Sequence, residues 1–444
     1  MEKYIAAVDL GTKRISVLAG KKTVSGKFHV FAHHEAPSRG VVQGEVWNSI
    51  EAGNVLKTLI DEMKQQEGVD ITEVYAGVSG EHIQCIKQPS ETSRDKPNMH
   101  ISEEEIRRLE QDMYGISTGS NSEVRDVIPQ GYQLDDKLRV PNPVGACGHR
   151  LKAEFCVLTA AKPPMQLIRR SIEHAGLQVK NLFLSPLAAA EAVLSDDDKE
   201  MGVAVVDIGG GTTSVVIYCD NIIRHVDVIP FGGDVITDDI RSGCAISARY
   251  ADQLKVQYGS CYSELIKANK TVRILGAGGG EVSFRMLAKI IEARMDEIME
   301  TVVYIIQQSG YAGRLNAGIV LTGGGAKIGD LTEFVKYKTG MKARKGELLF
   351  VTSDSVTDVQ HCDCATAVGL LMMGSTDKKH VPIEPEIFES VIENAPVKSG
   401  SKKKVKRPEP PEHPEPSRPP RVRRNPFSGV QDMFKEFFKT DNEV

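Results

Sequence analysis

Two aspartates in this chain open the same short pattern: an apolar strand, Asp-x-Gly, a tight turn and a second β-branched strand. One copy reads YIAAVDLGTKRISVLAG from Tyr4 and the other GVAVVDIGGGTTSVVIY from Gly202. They align without a gap, Asp9 on Asp207, Gly11 on Gly209 and Ser16 on Ser214. Glycine, lacking a Cβ, lets backbone N–H groups converge on phosphate oxygens. Thr12, Thr212 and Thr213 add hydroxyl donors. Asp9 and Asp207 suit a divalent metal held through water, because Mg²⁺ keeps much of its hydration shell. A third turn, Leu321-Thr-Gly-Gly-Gly-Ala, brings Gly323, Gly324 and Gly325 to the end of another apolar strand. One glycine-rich turn can be no more than a hairpin needing positive φ. Three in this order, two introduced by Asp, point to a cleft that grips a phosphate chain and its metal from both sides. The chain has no Gly-x-x-x-x-Gly-Lys-Ser/Thr, and no Gly-x-Gly-x-x-Gly followed by a helix and an acid. The P-loop and dinucleotide-binding folds are thereby excluded.

The elements around these turns follow from periodicity. Up to about Gly80 the pattern is a strand hairpin, a further strand, a helix over about Asn48 to Gln66 and a strand. The helix carries Ile50, Val55, Leu59, Ile60 and Met63 as its apolar stripe. Residues 81–162 read as an inserted module: strand-like HIQCIK, a helix opened by the capping box Ser102-x-x-Glu105, and the strand LKAEFCVLTAA. An amphipathic helix then ends at Gly176, and SPLAAAEAVL forms a small-residue helix for which Ser185 is expected as N-cap before Pro186. In the second half a long helix stops at Gly310, with Leu287, Ile290, Ile291, Ile298, Val302 and Ile305 on one face. The glycines from Ile274 to Gly280 read as a flexible connection.

At 444 residues, 41% hydrophobic and 26% charged, the chain is long enough for two or more domains of ordinary soluble composition. Its opening residues run straight into strand without a charged leader and apolar stretch, and no apolar run approaches the roughly 20 residues of a spanning helix. The expectation is a cytosolic chain. Eight scattered cysteines, most in apolar strand contexts, read as reduced core thiols. Cys362 and Cys364 are too close for ordinary zinc-finger spacing. Ten Lys or Arg against three Glu from Lys398 to Arg424 make a local charge of +7, so the remainder carries −12 of the total −5. An acidic body with a basic, proline-rich stretch near one end is not the composition of a nucleic-acid-binding domain. Nine prolines between Pro396 and Pro426 cannot build a core, and the stretch reads as a flexible linker.

Asp9-Leu-Gly-Thr, Asp207-Ile-Gly-Gly-Gly-Thr and Leu321-Thr-Gly-Gly-Gly-Ala together resemble the two phosphate motifs and the adenosine motif of the actin-like ATPase superfamily. Ser185-Pro-Leu-Ala-Ala-Ala-Glu and Ala365-Thr-Ala-Val-Gly-Leu resemble its two connecting helices, in which Ala188, Ala189, Ala365 and Gly369 permit a close crossing. Within it, DVIPQGYQLDD, VPNPVGACGHRL, FGGDVITDDI, the GGGEVSFRMLAKIIEARMDEI helix and the tail resemble the FtsA family of bacterial division proteins over nearly the whole chain.

The resemblance implies an α/β, actin-like (ribonuclease H-like) two-domain fold with an inserted 1C subdomain and a disordered C-terminal linker ending in an amphipathic helix. It assigns 1–80 and 163–200, completed by about 365–385, to subdomain 1A and 81–162 to 1C. Residues 201–231 and 317–364 become 2A, 232–316 become 2B, and 386–426 become the linker before the helix at 427–440. It implies ATP and Mg²⁺ as cofactors. Gly11, Thr12, Lys13, Gly209, Gly210, Gly211, Thr212, Thr213, Gly323, Gly324 and Gly325 would lie around the nucleotide, with Asp9 and Asp207 at the metal. Asp252 and Lys255 would approach the ribose or adenine; the alternative is an exposed helical salt bridge. Subdomain 2B would dock the tail of tubulin-like FtsZ, where basic Lys289 and Arg294 could meet an acidic partner or form a solvated helix face. Self-association into filaments and contacts of 1C with other division proteins also follow from the resemblance, and no nucleic acid does. Ser214 stands where an acid is expected after the threonines, and Ser185 where many relatives have Glu. No general base stands out, so the reading is nucleotide binding with at most slow hydrolysis.

In the last segment Phe427, Val430, Met433, Phe434, Phe437 and Phe438 fall on one side of a helix, with Asp432, Lys435, Glu436 and Lys439 on the other. Three to four turns cannot cross a bilayer but suit its interface, with Arg418, Arg421, Arg423 and Arg424 at anionic headgroups. The alternative is a helix docked on its own body. The expectation is therefore a peripheral protein on the cytoplasmic face of the bacterial inner membrane at the division site. It would polymerise there, anchor the FtsZ ring and recruit later division proteins. Two other readings stay open: a PilM-like pilus-assembly scaffold of the same fold, and a kinase or chaperone ATPase of that fold.

Overall fold

A computed structural model of the chain describes residues 4–377, apart from 120, 138, 267–269, 274–279, 353, 357–358 and 360. The glycine-rich connection, the linker and the amphipathic segment Phe427–Phe438 lie outside the described residues.

Strand β1 (Ile5–Leu10) turns back through Gly11 into β2 (Arg14–Lys22), which pairs antiparallel with β3 (Phe28–Pro37). A two-residue ladder, β4 (Val41–Val42) with β5 (Glu45–Val46), leads into helix α1 (Ser49–Gln66). Asn48 caps that helix, its side chain accepting from Ile50 and Glu51 N–H. Strand β6 (Glu73–Val78) then lies parallel to β1.

The chain leaves this sheet to build a separate three-stranded one from β7 (Gln84–Ser93), β8 (Ser122–Leu134) and β9 (Arg150–Ala161) in the order β7-β9-β8, with α2 (Glu103–Tyr114) before β8. A core of its own gathers Leu109 and Met113 from α2 with Leu151, Phe155 and Val157. Only half of the expected capping box forms. Ser102 accepts from Glu105 N–H, while the Glu105 carboxylate takes Arg94 Nε at 2.6 Å instead.

Helix α3 (Lys162–His174) returns the chain, and β10 (Gln178–Leu184) completes the first sheet in the order β10-β6-β1-β2-β3. Helix α4 (Ser185–Val193) follows without a break, then α5 (Asp196–Met201). Ser185 is the first residue of α4 rather than its cap. Leu184 holds the cap position with no side-chain hydrogen bond, because the strand runs directly into a first turn fixed by Pro186.

The second half repeats the first sheet. Strands β11 (Val203–Ile208), β12 (Thr213–Cys219) and β13 (Ile222–Ile229) form an antiparallel meander. Next come α6 (Gly233–Cys244), α7 (Ala248–Tyr258), the short ladder β14 (Thr271–Arg273) with β15 (Glu281–Ser283), and the 26-residue helix α8 (Phe284–Ser309). Gly310 stops α8 in the left-handed conformation (φ 82°). Strand β16 (Gly318–Thr322) lies parallel to β11, and after α9 (Leu331–Thr339), β17 (Ala343–Lys345) completes the order β13-β12-β11-β16-β17.

The two sheets share one topology and one register. Asp9 stands opposite Ser16, and Asp207 opposite Ser214. Successive residues of β11 bury opposite faces. Ala204 and Val206 join a core with Ile291, Ile298 and Val302 of α8, while Val203 and Val205 join the core of the first half. Helix α10 (Ala365–Thr376) crosses α4 between the halves. A Cβ on Gly369 would overlap the Ala188 carbonyl oxygen, so only glycine fits this crossing. Among the described residues no helix is long and apolar enough to span a membrane.

Candidate functional site

The strand ends bearing Asp9, Asp207 and Gly323 open into one cleft of about 700 Å³ between the two sheets, within the size range of ordinary ligand sites. Its walls include Gly11, Thr12 and Lys13 from the first hairpin, Gly209, Gly210 and Thr212 from the second, and Gly323, Gly324 and Gly325 after β16. The sequence-derived residues of the three turns thus converge. Thr213 is the exception: it is fully buried at the start of β12, and its hydroxyl donates to Phe231 O at 3.0 Å. Gly211 is also buried, its Cα face turned to Thr12 and Gln43.

Local hydrogen bonds explain the shape of the second hairpin. Gly209 N–H closes the turn on Thr212 O at 2.8 Å, and the N-terminus of α6 docks on it from behind. Gly233 and Asp234 N–H donate to Gly209 O and Gly210 O at 2.9 and 2.8 Å. Those carbonyls are held on the helix side, so the N–H groups that follow Gly209 in the turn are left for the cleft. The first hairpin is braced by the β4–β5 turn, where Gly44 N–H donates to Thr12 Oγ1 at 2.8 Å and Gln43 Nε2 reaches across to Pro230 O at 2.9 Å.

Asp9 and Asp207 face each other on the floor. Burial, then the neighbouring Asp207 charge, pushes Asp9 up to about 7 against the opposing pull of Arg14. Burial pushes Asp207 to about 6, opposed by Thr366, whose Oγ1 donates to Asp207 Oδ2 at 3.4 Å. Two carboxylates held this close, with no lysine or arginine among the described residues paired directly to either, have the donor chemistry for a divalent cation. Among the described residues no group of three or more His, Cys, Asp or Glu side chains is arranged to hold a metal. A cation here would therefore complete its shell with water and ligand oxygens.

Asp252 and Lys255 lie in the cleft wall, not on an exposed helix face. Lys255 is buried, and its ammonium has three partners: Gly233 O at 2.8 Å, Thr237 Oγ1 at 2.7 Å and Asp252 Oδ1 at 3.0 Å. Lys13 bridges the cleft to Asp234 at 2.7 Å and Asp252 at 3.6 Å. Burial opposes the Lys13 charge, but the Asp234 and Asp252 carboxylates outweigh it and hold its pKa above the ordinary lysine value. Burial likewise works against the Asp252 charge, while Lys255 and Lys13 pull its pKa below the ordinary range.

Sequence reasoning missed several residues in and beside the cleft. Asp234, Lys13's main partner, sits in FGGDVITDDI, where an acid in the first turn of a helix was the available signal. Arg14 follows the first motif directly and reaches Asp363 Oδ2 at 3.1 Å, with Lys327 on the same oxygen at 3.1 Å. Burial pushes Asp363 up, but Lys327 and Arg14 bring it below the usual carboxylate range. The Ser185 hydroxyl faces Gly77 so closely that an added Cβ there would overlap it. Lys289 and Arg294 do not line the cleft. Lys289 is exposed on α8, whereas Arg294 is held by Asp239 at 2.6 Å and Glu297 at 2.5 Å. None of the cysteines is in a disulfide; four are buried and Cys147 alone is exposed.

The duplicated sheets around a cleft define an actin-like fold, shared with a solved PilM–PilN type IV pilus biogenesis complex. That structure covers 84% of this chain and 99% of its own at a TM-score of 0.58, and its 16% identity makes this a likeness of fold alone. Residues 204–369 match the family described as cell division protein FtsA, and residues 80–159, the three-stranded sheet with α2, match the SHS2 domain inserted in FtsA. The chain is 32% identical to cell division protein FtsA of Pseudomonas aeruginosa over 403 residues, 89% of this chain and 95% of the relative. Against FtsA of Neisseria meningitidis serogroup B it is 31% identical, covering 87% and 93%. The chain belongs to the FtsA family of cell division proteins.

Proposed function

We propose that this protein binds MgATP in the cleft and uses it to control self-association, polymerising on the cytoplasmic face of the membrane and anchoring the FtsZ ring there. The observation that supports it most is the pair of buried, cation-seeking carboxylates, Asp9 and Asp207, on facing hairpins whose tips touch. A nucleotide's phosphates would lie against Gly11, Thr12, Gly209 to Thr212 and Gly323 to Gly325, its metal would neutralise the two acids, and Asp252 and Lys255 would flank the ribose. The metal would supply the positive charge that the floor lacks and that the phosphates also need; the protein contributes orientation through backbone N–H groups. With Ser185 and Ser214 where an acid would orient water, turnover is slow and the nucleotide acts as a switch.

The three-stranded sheet, subdomain 1C in this reading, would meet other division proteins. Residues 232–316 would dock the FtsZ tail, with exposed Lys289 the freer cation and Arg294 already committed to Asp239. Phe427, Val430, Met433, Phe434, Phe437 and Phe438 would enter the lipid interface, a reading that rests on the sequence. Co-sedimentation with anionic liposomes, with ATP or ADP and with or without FtsZ, tests the proposal. ATP-dependent pelleting of FtsZ is expected. Removing Phe427–Val444 should abolish pelleting while leaving calorimetric MgATP binding unchanged. Absence of MgATP binding, or pelleting that survives the deletion, overturns the corresponding part.

A further inference from the structure

Away from the cleft, the inserted sheet meets the second half along a polar seam. Gln130 of β8 donates to Ile223 O at 2.9 Å, and Arg224 of β13 returns a bond to Gln130 O at 3.1 Å. Beside these lies a cluster of soft and titratable groups with no part in the nucleotide reading. On the β7–β9 ladder Cys85 stands opposite Leu158 and Lys87 opposite Cys156, so the two thiols are diagonal neighbours on one face. Edge strand β13 packs against β7 here, so His225 and Val226 lie beside the Cys85 sulfur, with the Cys156 thiol next to it on β9. Asp227, two residues on and on the same face as His225, holds its carboxylate 3.8 Å from His225 Nε2. The array is thiol, imidazole and carboxylate in sequence, with a second thiol behind.

This surrounding decides the charge state. The Cys156 donor pulls the Cys85 thiol down, burial opposes it, and His225 and Val226 N–H add to the pull, leaving Cys85 well below an ordinary thiol. Burial disfavours the charged imidazole, but Asp227 and Cys85 raise His225 to about 9. Cys156 is pushed up, by its bond to Cys85, by burial and by nearby Asp126 of β8, against a weaker pull from Lys87 of β7. One sulfur is thus a thiolate paired with imidazolium and the other stays protonated. Cys85 and His225 are half-buried, so small reagents can reach the pair, whereas Cys156 is 1% exposed.

We propose that Cys85 is a reactive thiolate, a modification site for small electrophiles and hydroperoxides at the seam between the inserted sheet and the second half. With a hydroperoxide, the Cys85 sulfur attacks the terminal oxygen, the S–O bond forms as the O–O bond breaks, and sulfur is oxidised by two electrons to sulfenic acid. The leaving hydroxide or alkoxide takes the imidazolium proton of His225 and departs as water or alcohol. Thiolate and imidazolium are both neutralised, and the ion pair that joins β7 to β13 is lost.

The full-length protein would be treated with iodoacetamide at pH 6 and pH 8, folded and in guanidinium, and the rate at each cysteine read by peptide mass spectrometry. In the unfolded chain the Cys85 rate should fall about 80-fold between pH 8 and pH 6, as the thiolate fraction of an ordinary thiol does. In the folded chain it should fall less than about threefold. His225→Gln should restore a clear part of the steep fall, the Cys156 donor remaining in place, and Asp227→Asn, a milder change at the seam, a smaller part; circular dichroism establishes that each variant is folded. Substoichiometric hydrogen peroxide with dimedone should place the adduct on Cys85. A steep fall at Cys85 in the folded wild type, no labelling there, a flat profile in folded His225→Gln, or dimedone only on other cysteines overturns the proposal.

Discussion

The two hairpins that floor the cleft have the same length and register, and they differ most where their tips meet. In the first, Thr12 and Lys13 occupy the turn; at the aligned positions of the second stand Gly210 and Gly211. A Cβ on Gly211 would come within 2.6 Å of Thr12 Oγ1 and 2.8 Å of Gln43 Cα, and one on Gly210 within 2.6 Å of Lys13 Cγ. Two identical tips could not approach this closely. One carries side chains across the gap and the other yields the room, so the duplication is broken at the point where the halves touch. The asymmetry also directs charge, because Lys13 crosses over Gly210 to reach Asp234 on α6.

The aspartates test the symmetric part of this comparison, and they carry the largest expected effect. Their folded pKa values, about 7 and about 6, lie above the ordinary aspartate value of 3.8. The fold therefore favours the protonated carboxyl. The stability this confers is fully present below about pH 4 and is lost as pH rises through 6 to 7. Each pH unit separating the folded from the unfolded pKa corresponds to on the order of 1.4 kcal/mol. Asp9→Asn should stabilise the ligand-free protein at pH 8 by a few kcal/mol in urea denaturation, with the gain shrinking toward zero near pH 4. Asp207→Asn should gain less, since its pKa is raised less, with Thr366 opposing the effect of burial. Equal gains at pH 4 and pH 8 would show that the acids are not strained by burial. MgATP should stabilise the wild type and neither variant to the same extent.

Next in size is Gly211→Ala. The added methyl meets the Gln43 backbone, which is tied to Pro230 O through its own side chain, and cannot be accommodated by a rotamer change. A loss of about 2 kcal/mol is expected, as for other overpacked sites, together with weaker nucleotide binding by calorimetry. A neutral result would mean that the tips separate without cost. Gly11→Ala and Gly209→Ala sharpen the same point. The Cβ would stand 2.8 Å from Arg14 O in the first hairpin and 3.1 Å from Thr212 O in the second, so the first substitution should cost more, by about 0.5 to 1 kcal/mol in the same denaturation assay.

The strands and turns of both hairpins were legible because their signals are local: β-branched runs, Asp-x-Gly, and a gapless alignment. The crossing of α4 and α10 was legible too, since Ala188 and Gly369 declare a close approach by lacking bulk. What could not be read depends on pairings made in space. Arg14 meets Asp363 across 349 positions, and Cys85 meets His225 across the seam between two sheets. Ser185 misled for a different reason. Ser before Pro is a sound capping signal, but β10 carries its hydrogen bonding to Leu184 and leaves no separate cap residue. The half-made box at Ser102 has the same lesson, with Arg94 competing for the Glu105 carboxylate.

Gly210→Ala is the smallest expected effect and tests the contact between the tips most directly. Its new methyl would meet the Lys13 side chain first, at 2.6 Å from Cγ and 3.4 Å from Cβ, and a lysine stem can move aside. The cost should stay below about 1 kcal/mol, most of it from displacing Lys13 from Asp234 and Asp252, an exchange among partly exposed charges. Lys13→Ala removes both the obstacle and the ion pairs. The two substitutions share one cause and should not add: the double variant should match Lys13→Ala within about 0.3 kcal/mol in a double-mutant cycle. Strict additivity would mean that Gly210 is required for its own backbone rather than for the lysine, and the complementarity of the tips would then rest on Gly211 and Thr12 alone.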